Sequence, residues 1–170
     1  MAVMDIAYPV KHGASLMDDL EIFLSLRSVQ QNLADVGRVF AFGHLPAYLR
    51  DVQHVPMDDG GDKARNLWAK YRAMIESDLS DPFLLMDDDI FFLRPVSEHP
   101  LYYGGSLPAL VEEHKDRAYG RYMAQTLNLL RTHGLPERNF QLHQPLLIDK
   151  RTLEMACDIA GDLPCVMGSL

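Results

Sequence analysis

Short apolar runs alternate with segments of helical periodicity along this chain. The run at residues 6–8 predicts a strand that ends at Pro9. Residues 36–42, which are rich in β-branched and aromatic side chains, predict a second strand that stops at Gly43. A third short strand is expected at residues 52–55. Because strands that alternate with helices are typical of α/β proteins, the pattern favours that class.

Helical periodicity begins after the first strand, where Ser15 and Asp18 resemble a capping pair. The apolar residues that follow cover two adjoining faces of a helix, which should therefore be well buried. These residues are Leu16, Leu20, Phe23 and Leu24 on one face and Ile22, Leu26, Val29 and Leu33 on the other. An acidic loop at residues 58–62 leads into a second helix whose apolar positions are Ala64, Leu67, Trp68, Tyr71 and Ile75. Further helices are predicted near residues 107–115, near residues 119–133 and from about residue 152 to residue 160.

A continuous apolar run, FLLM at residues 83–86, is typical of a central strand buried on both faces. A shorter run at residues 146–148 predicts the last strand. With 170 residues, 48% of them hydrophobic, the chain can fill one core. We therefore expect a single compact α/β domain over residues 1–170, with a Rossmann-like, mixed but mostly parallel sheet flanked by helices. The last five residues carry no stop signal, so a domain truncated at its C-terminus is an alternative.

The charge of the chain argues against general binding to nucleic acid. The formal net charge of -8 would repel a phosphate backbone. The nearest approach to a basic stripe is Lys63, Arg65, Lys70 and Arg72. These residues fall within the amphipathic pattern of the second helix, so we expect them to form a solvated charged face.

The two cysteines, Cys157 and Cys165, lie close together without the CxxC spacing of a metal site. Free buried thiols in a reducing compartment are therefore expected. The N-terminus has an acid and a proline where a signal peptide would be apolar, and no apolar run approaches the length of a membrane span. The sequence therefore predicts a soluble, cytoplasmic protein.

Three consecutive carboxylates, Asp87, Asp88 and Asp89, follow the central strand. They repel one another and lose solvation at the end of a buried strand, so a bound cation would stabilise them. Alternate residues of an extended segment point the same way, so we expect Asp87 and Asp89 to bind one Mn²⁺ or Mg²⁺ ion. Asp88 would face elsewhere. The carboxyl end of a strand in an open α/β sheet is also where ligands bind. The alternative is an acidic turn that is simply solvated.

The segment at residues 83–92, FLLMDDDIFF, resembles the strand and DXD motif of GT-A type glycosyltransferases. The order of elements is also similar, and the resemblance covers roughly residues 5–149. It implies a glycosyltransferase-like domain with a GT-A-like fold, in which Mn²⁺ or Mg²⁺ binds the diphosphate of a nucleoside diphosphate sugar. The implied activity is metal-dependent transfer of the sugar to a hydroxyl acceptor, which would be a saccharide, a modified nucleotide or a protein. The chain is short after the metal strand, which leaves the acceptor open.

A second segment, DLEIFLSLRS at residues 19–28, resembles the segment after the first strand in the Stealth family of sugar-phosphate transferases. Transfer of a sugar phosphate is therefore one alternative function. A module that binds a nucleotide sugar without turnover is another. Aspartyl phosphotransferases fit less well because no serine or threonine follows the acids within residues 90–93. The oligomeric state is left open.

Further site residues follow from the resemblance together with residue chemistry. The resemblance implies His143 as an additional metal ligand, although a lone histidine is more often an ordinary surface residue. Lys63 and Asn66 open a helix whose N–H groups could bind the anionic donor. Asp88 would contact hydroxyl groups of the ribose or the sugar. Tyr8 would either stack on the nucleotide base or pack in the core.

An inverting mechanism would need a general base, for which Asp149 is the first candidate and Glu112 or Glu113 the second. A retaining mechanism would need none. The segment YYGG at residues 102–105 combines aromatic rings with flexible backbone. It predicts either a platform for the acceptor or core packing followed by a turn.

Overall fold

The structure is a computed structural model that describes residues 3–11, 19–60, 62–99, 102–140, 142–161 and 163. Within these residues the chain forms five strands and five helices. In chain order they are β1 (Met4–Val10), α1 (Leu20–Asn32), β2 (Val36–Gly43), β3 (Gln53–Pro56), α2 (Lys63–Glu76), β4 (Phe83–Leu85), α3 (Leu107–Glu113), α4 (Ala118–Thr132), β5 (Leu146–Ile148) and α5 (Lys150–Ala160). The prediction of the α/β class is confirmed. The capping pair expected at Ser15 and Asp18, and also Cys165, lie outside the described residues.

The five strands form one mixed sheet in the order β3-β2-β1-β4-β5. Neighbouring strands among β1 to β4 are parallel, whereas β5 runs antiparallel to β4. Ala7 lies opposite Phe40 of β2 and Leu85 of β4. Leu85 in turn lies opposite Leu146, the first residue of β5. The carboxyl ends of β1 to β4 therefore share one edge of the sheet with the start of β5.

Alternating side chains of the strands fill two cores, one on each face of the sheet. On the first face, helices α2 and α5 pack over β1, β2 and β4. The buried residues there are Ala7, Phe40, Phe42, Trp68, Tyr71, Met74, Leu79, Phe83, Leu85, Leu153, Cys157 and Ala160. On the second face, α1 covers Ile6, Tyr8, Val10, Ile22, Val29, Ala41, Leu49, Leu84, Met86, Ile90 and Phe92. Successive residues at the end of β4 therefore point alternately towards α2 and towards α1.

Helices α3 and α4 bury a third cluster formed by Leu107, Met123, Leu127 and Leu130. Cys157 is a free, buried thiol, as predicted, and burial raises its pKa to about 11. In the part of the chain that the structure describes, none of the helices has both the length and the apolar character needed to cross a membrane.

Candidate metal centre

The three aspartates follow β4 at the carboxyl edge of the sheet. The backbone N–H of Met86 still donates to the carbonyl oxygen of Ala7 at 3.0 Å, which continues the pairing with β1. The chain then turns, and the N–H of Ile90 donates to the carbonyl oxygen of Asp87 at 3.3 Å. The expectation of a fully extended acidic segment is therefore corrected. A turn, with Asp88 and Asp89 at its centre, is what directs the carboxylates.

His143 lies between two of these carboxylates. Its Nε2 atom is 3.0 Å from Oδ1 of Asp89, and its Nδ1 atom is 3.6 Å from Oδ2 of Asp87. Because β5 is antiparallel to β4, the residues before Leu146 lie beside the residues after Leu85. The φ angle of His143 is 44°, a left-handed conformation that is uncommon for residues with a side chain. Such backbone strain is concentrated at functional sites.

The three side chains have the composition and spacing of a metal-binding group. One ligand atom from each of Asp87, Asp89 and His143 lies within 4.8 Å of the other two. Two carboxylate oxygens and one imidazole nitrogen fit Mn²⁺ well, since carboxylates suit Mn²⁺ and Mg²⁺ and imidazole suits transition metals. The side chains are 48%, 53% and 56% exposed, respectively, so an ion here would keep coordination positions open for a ligand.

The electrostatics of the acidic turn favour a cation. Burial raises the pKa of Asp87, and the charge of Asp89 adds to this rise. His143 and Lys63 oppose it. Burial also raises the pKa of Asp88, and three neighbouring carboxylates reinforce that shift: those of Asp89, Asp87 and Glu21. Each shift means that the charged form lacks compensation, which a divalent cation would supply.

Lys63 is the first residue of α2, and its positive charge acts on Asp87. Met86 faces α1, so by alternation Asp87, the next residue, is on the side of the sheet that α2 covers. The N-terminus of α2 is already capped, because the side chain of Asp62 accepts hydrogen bonds from the N–H groups of Ala64 and Arg65. The prediction that helix N–H groups bind the donor is thus corrected for Ala64 and Arg65, and the charge of Lys63 is what this helix start directs at Asp87.

Asn66 lies in the first turn of the same helix, where its own N–H donates to the carbonyl oxygen of Asp62 at 3.0 Å. Its side chain is half-buried. The structure therefore places Asn66 at the capped start of α2, one turn after Lys63.

Asp88 faces the opposite side of the sheet, where it acts on Tyr8 and is acted on by Glu21. The Oε2 atom of Glu21 is buried and has no hydrogen-bond partner among the described residues. Glu21 is not among the site residues predicted from the sequence. An acid in the first turn of a helix is an ordinary feature that favours the helix dipole, so the sequence carried no signal for it.

Tyr8 is completely buried, and its hydroxyl group makes a hydrogen bond of 3.0 Å with Oγ of Ser25. Burial raises its pKa well above the ordinary value. Of the two roles considered, the core role is the one that fits. A ring enclosed in this way does not stack on a nucleotide base, so the assignment of Tyr8 to cofactor binding is corrected.

The structure does not bring Asp149 to the metal centre. Ile148 lies opposite Phe83, the first residue of β4, so Asp149 is at the far edge of the sheet from Asp87. There its side chain caps α5 by accepting hydrogen bonds from the N–H and hydroxyl groups of Thr152. This cap lowers the pKa of Asp149, which weakens it as a base.

The second choice of base also has another role. Glu112 is exposed on α3 and forms an ion pair with Lys115 one turn later. Glu113, beside it, is exposed as well. Neither carboxylate belongs to the group formed by Asp87, Asp89 and His143.

A cavity of about 410 Å³ opens along the same edge of the sheet, at the ends of β2 and β3. It is lined by Gly43, His44, Leu45, His54, Pro56, Met57, Asp58 and Asp59. Its wall is fixed by polar contacts. Nε2 of His54 lies 2.8 Å from the carbonyl oxygen of Gly43, and Nζ of Lys70 donates to Oδ1 of Asp59 at 2.6 Å.

Lys70 is buried, which corrects the expectation that it belongs to a solvated charged face. Its side chain is only 4% exposed, and its Nζ atom also donates to the carbonyl oxygen of Val10 at 2.8 Å. Gly43 makes room for it, since a Cβ atom there would lie 2.8 Å from Cε of Lys70. The lysine therefore ties the acidic loop before α2 to the end of β1.

Comparison of the chain with protein-family models and with curated proteins found no match. The resemblance to GT-A glycosyltransferases therefore rests on the motif and on the order of elements, and function has to be argued from the site itself.

Proposed function

We propose that this protein is a metal-dependent glycosyltransferase that uses a nucleoside diphosphate sugar as donor. The observation that carries the proposal is the position of His143 between Asp87 and Asp89, with the charge of Lys63 acting on the same site. Carboxylates and an imidazole would hold Mn²⁺ or Mg²⁺ on one side of a diphosphate. The ammonium of Lys63 would neutralise it on the other.

The distance along the sheet edge supports a donor of this size. The cavity lies at the ends of β2 and β3, two and three positions from β4 in the sheet order. With neighbouring strands roughly 5 Å apart, the cavity and the acidic turn are about 10–14 Å apart. An extended nucleoside diphosphate spans such a distance. In this arrangement the nucleoside occupies the cavity, and Asp58 and Asp59 accept hydrogen bonds from its ribose hydroxyls.

The reaction breaks the bond between the anomeric carbon of the sugar and the diphosphate oxygen, and the electron pair leaves with the diphosphate. The acceptor hydroxyl oxygen forms the new bond to that carbon, and its proton passes to the departing diphosphate or to solvent. When bound, the ion neutralises the charge that collects on the leaving group. Asp88 lies between the two metal ligands in the chain but faces the side of the sheet that α1 covers, so it would accept hydrogen bonds from sugar hydroxyls that reach that side.

The test is calorimetric titration of a panel of nucleoside diphosphate sugars in the presence of Mn²⁺, repeated with EDTA. The wild type is compared with the Asp87→Ala/Asp89→Ala variant, and Asp158→Ala serves as the control because Asp158 is an exposed acid on α5. We expect binding that EDTA abolishes, that the double variant loses and that the control keeps. A well-folded wild type that binds none of the donors would refute the proposal.

A further inference from the structure

We propose that Tyr102 and Tyr103 form an acceptor subsite beside the metal centre and that this subsite takes an uncharged saccharide. The inference rests on the proposed function, which it extends by naming the class of acceptor. It is carried by the hydrogen bonds that tie this exposed aromatic segment to the residues around His143, by the fixed backbone of the segment, and by the sign of the surrounding charge.

The aromatic segment runs alongside the segment that contains His143. The N–H of Gly104 donates to the carbonyl oxygen of Asn139 at 2.8 Å, and the N–H of Asn139 donates to the carbonyl oxygen of Gly105 at 2.9 Å. Farther along, Nε2 of Gln144 donates to the carbonyl oxygen of Tyr102 at 3.2 Å. Tyr102 is therefore level with Gln144, the residue that follows His143 in the chain.

The backbone that follows the two tyrosines packs closely against the segment before His143. A Cβ atom at position 104 would lie 2.5 Å from Cδ2 of Leu142 and 2.7 Å from Nδ2 of Asn139, so a larger residue there would force these side chains to move. Asn139 itself is 3% exposed. Gly105 has a φ angle of 96°, which favours glycine as well. The two glycines therefore permit the close approach and the backbone conformation that accompany the hydrogen bonds of this segment.

The tyrosine side chains project from this fixed backbone into solvent. Tyr102 is 61% exposed and Tyr103 is 56% exposed. The ring of Tyr103 contacts Phe140, with 5.8 Å between ring centroids, and the guanidinium of Arg138, which lies 5.7 Å from its centroid. Tyrosine combines an apolar ring face with a hydroxyl group. It therefore suits a pyranose, whose C–H face stacks on an aromatic ring while its hydroxyls make hydrogen bonds at the rim.

The charge around the subsite selects among hydroxyl acceptors. Arg138 is the one positive charge described at the tyrosines, whereas three aspartates and Glu21 lie at the neighbouring metal centre and the net charge of the whole chain is -8. A nucleic acid would bring its phosphates against this negative field, which disfavours binding. A neutral saccharide meets no such repulsion, and this argument decides between saccharide and nucleic acid.

Saturation-transfer NMR tests the proposal without donor or turnover. The probes are methyl β-D-glucopyranoside, methyl β-D-galactopyranoside and methyl N-acetyl-β-D-glucosaminide at millimolar concentration, with a thymidine dinucleotide and a serine-containing peptide as competing classes. We expect saturation of the ring protons of at least one saccharide by the wild type. Tyr102→Ala should weaken that binding about tenfold, the effect of one lost stacking contact. Tyr102→Phe, which keeps the ring, should retain most of it.

Tyr119→Ala is the matched control, since Tyr119 is an exposed tyrosine on α4. It should bind the saccharide as the wild type does. No saccharide signal, an equal signal from Tyr102→Ala, or a stronger signal from the dinucleotide or the peptide would overturn the inference. Donor titration with Mn²⁺ separates the two proposals, because Tyr102→Ala should bind donor normally. If donor binds and saccharide does not, only the subsite fails; if saccharide binds and donor does not, the glycosyltransferase proposal fails.

Discussion

Nε2 of His143 lies 3.0 Å from Oδ1 of Asp89, although α3 and α4 separate the two residues in the chain. The direction of β5 produces this contact. Since β5 is antiparallel to β4, the loop that leads into β5 arrives at the edge where β4 ends. A parallel β5 would have placed His143 at the opposite edge. One reversed strand therefore completes a candidate metal centre that the four parallel strands leave open.

Loss of one ligand should weaken metal binding. We expect His143→Ala and Asp89→Asn each to reduce the affinity for Mn²⁺ at least about tenfold, because each removes one of three protein ligands. The measurement is an electron paramagnetic resonance titration of free Mn²⁺. Asp158→Asn should match the wild type. Equal Mn²⁺ affinity in all four proteins would show that the group is an ion pair and not a metal site.

The position of the candidate metal centre at the acidic turn could be predicted from the sequence on physical grounds. A fully apolar run such as residues 83–86 is buried on both faces, and carboxylates directly after it have to be compensated. Their meeting with His143 was expected only through the resemblance to a family. No local pattern specifies the direction of a three-residue strand. The same gap explains why Asp149, at the other end of β5, was expected at the site although it lies at the far edge.

Tertiary packing also overrode helical patterning at Lys70. An amphipathic pattern predicts that a lysine faces solvent, but α2 passes the end of β1, where the carbonyl oxygen of Val10 accepts from Lys70 as well as from the N–H of His44. Asp59, from the loop before the helix, accepts another hydrogen bond from the same ammonium group. The sequence specifies the helix, whereas the position of the helix over the sheet decides the burial of this residue.

Lys63 should distinguish binding of the donor from binding of the metal. We expect Lys63→Gln to weaken binding of the nucleoside diphosphate sugar about tenfold, because one cation facing the diphosphate is lost. Affinity for Mn²⁺ alone should stay equal or rise, since Lys63 competes for the charge of Asp87. Calorimetry measures both the affinity for the donor and the affinity for Mn²⁺. Arg65→Gln, on the same helix turn, is the control, and a parallel loss of metal and donor binding in Lys63→Gln would contradict the assignment.

Lys70 should stabilise the fold strongly. We expect Lys70→Met to lower the free energy of unfolding by about 3 kcal/mol, because it leaves the carboxylate of Asp59 without its partner at a site that is 13% exposed. Urea unfolding measures the change. The double variant Lys70→Met/Asp59→Asn should recover part of the loss, since no unpaired charge remains. A double variant less stable than Lys70→Met would show that the ion pair is not the source of the effect.

Asp5 should make stability depend on pH in the acid range. Burial alone would raise its pKa, but hydrogen bonds from the side chain and N–H of Arg38 and from the N–H of Ser80 outweigh burial and lower it. Because the pKa of Asp5 is lower in the folded protein, its carboxylate stabilises the fold at pH values above the unfolded-state pKa of 3.8. That stability is lost as pH falls through the folded-state pKa. Urea midpoints measured from neutral pH to about pH 3 should fall more steeply in the wild type than in Asp5→Asn.

Asp5→Asn and the wild type should also differ in stability at neutral pH. There Asp5→Asn should be less stable by about 2 kcal/mol, because charge-assisted hydrogen bonds to a buried carboxylate become neutral ones. Asp158→Asn, at an exposed position, should leave both the midpoint and its pH dependence unchanged. Equal acid slopes for Asp5→Asn and the wild type would place the source of acid sensitivity elsewhere in the chain.

Asp149 should affect stability without affecting the donor reaction. Asp149→Ala removes the side-chain cap of α5, so we expect a loss of about 1 kcal/mol in urea unfolding. With Mn²⁺ and a nucleoside diphosphate sugar, the variant should still hydrolyse donor at the wild-type rate, because Asp149 lies at the edge of the sheet opposite Asp87. The released nucleotide, separated by ion-exchange chromatography, should be the diphosphate. A monophosphate would instead indicate transfer of a sugar phosphate, and a donor reaction abolished in stably folded Asp149→Ala would return this residue to the active site.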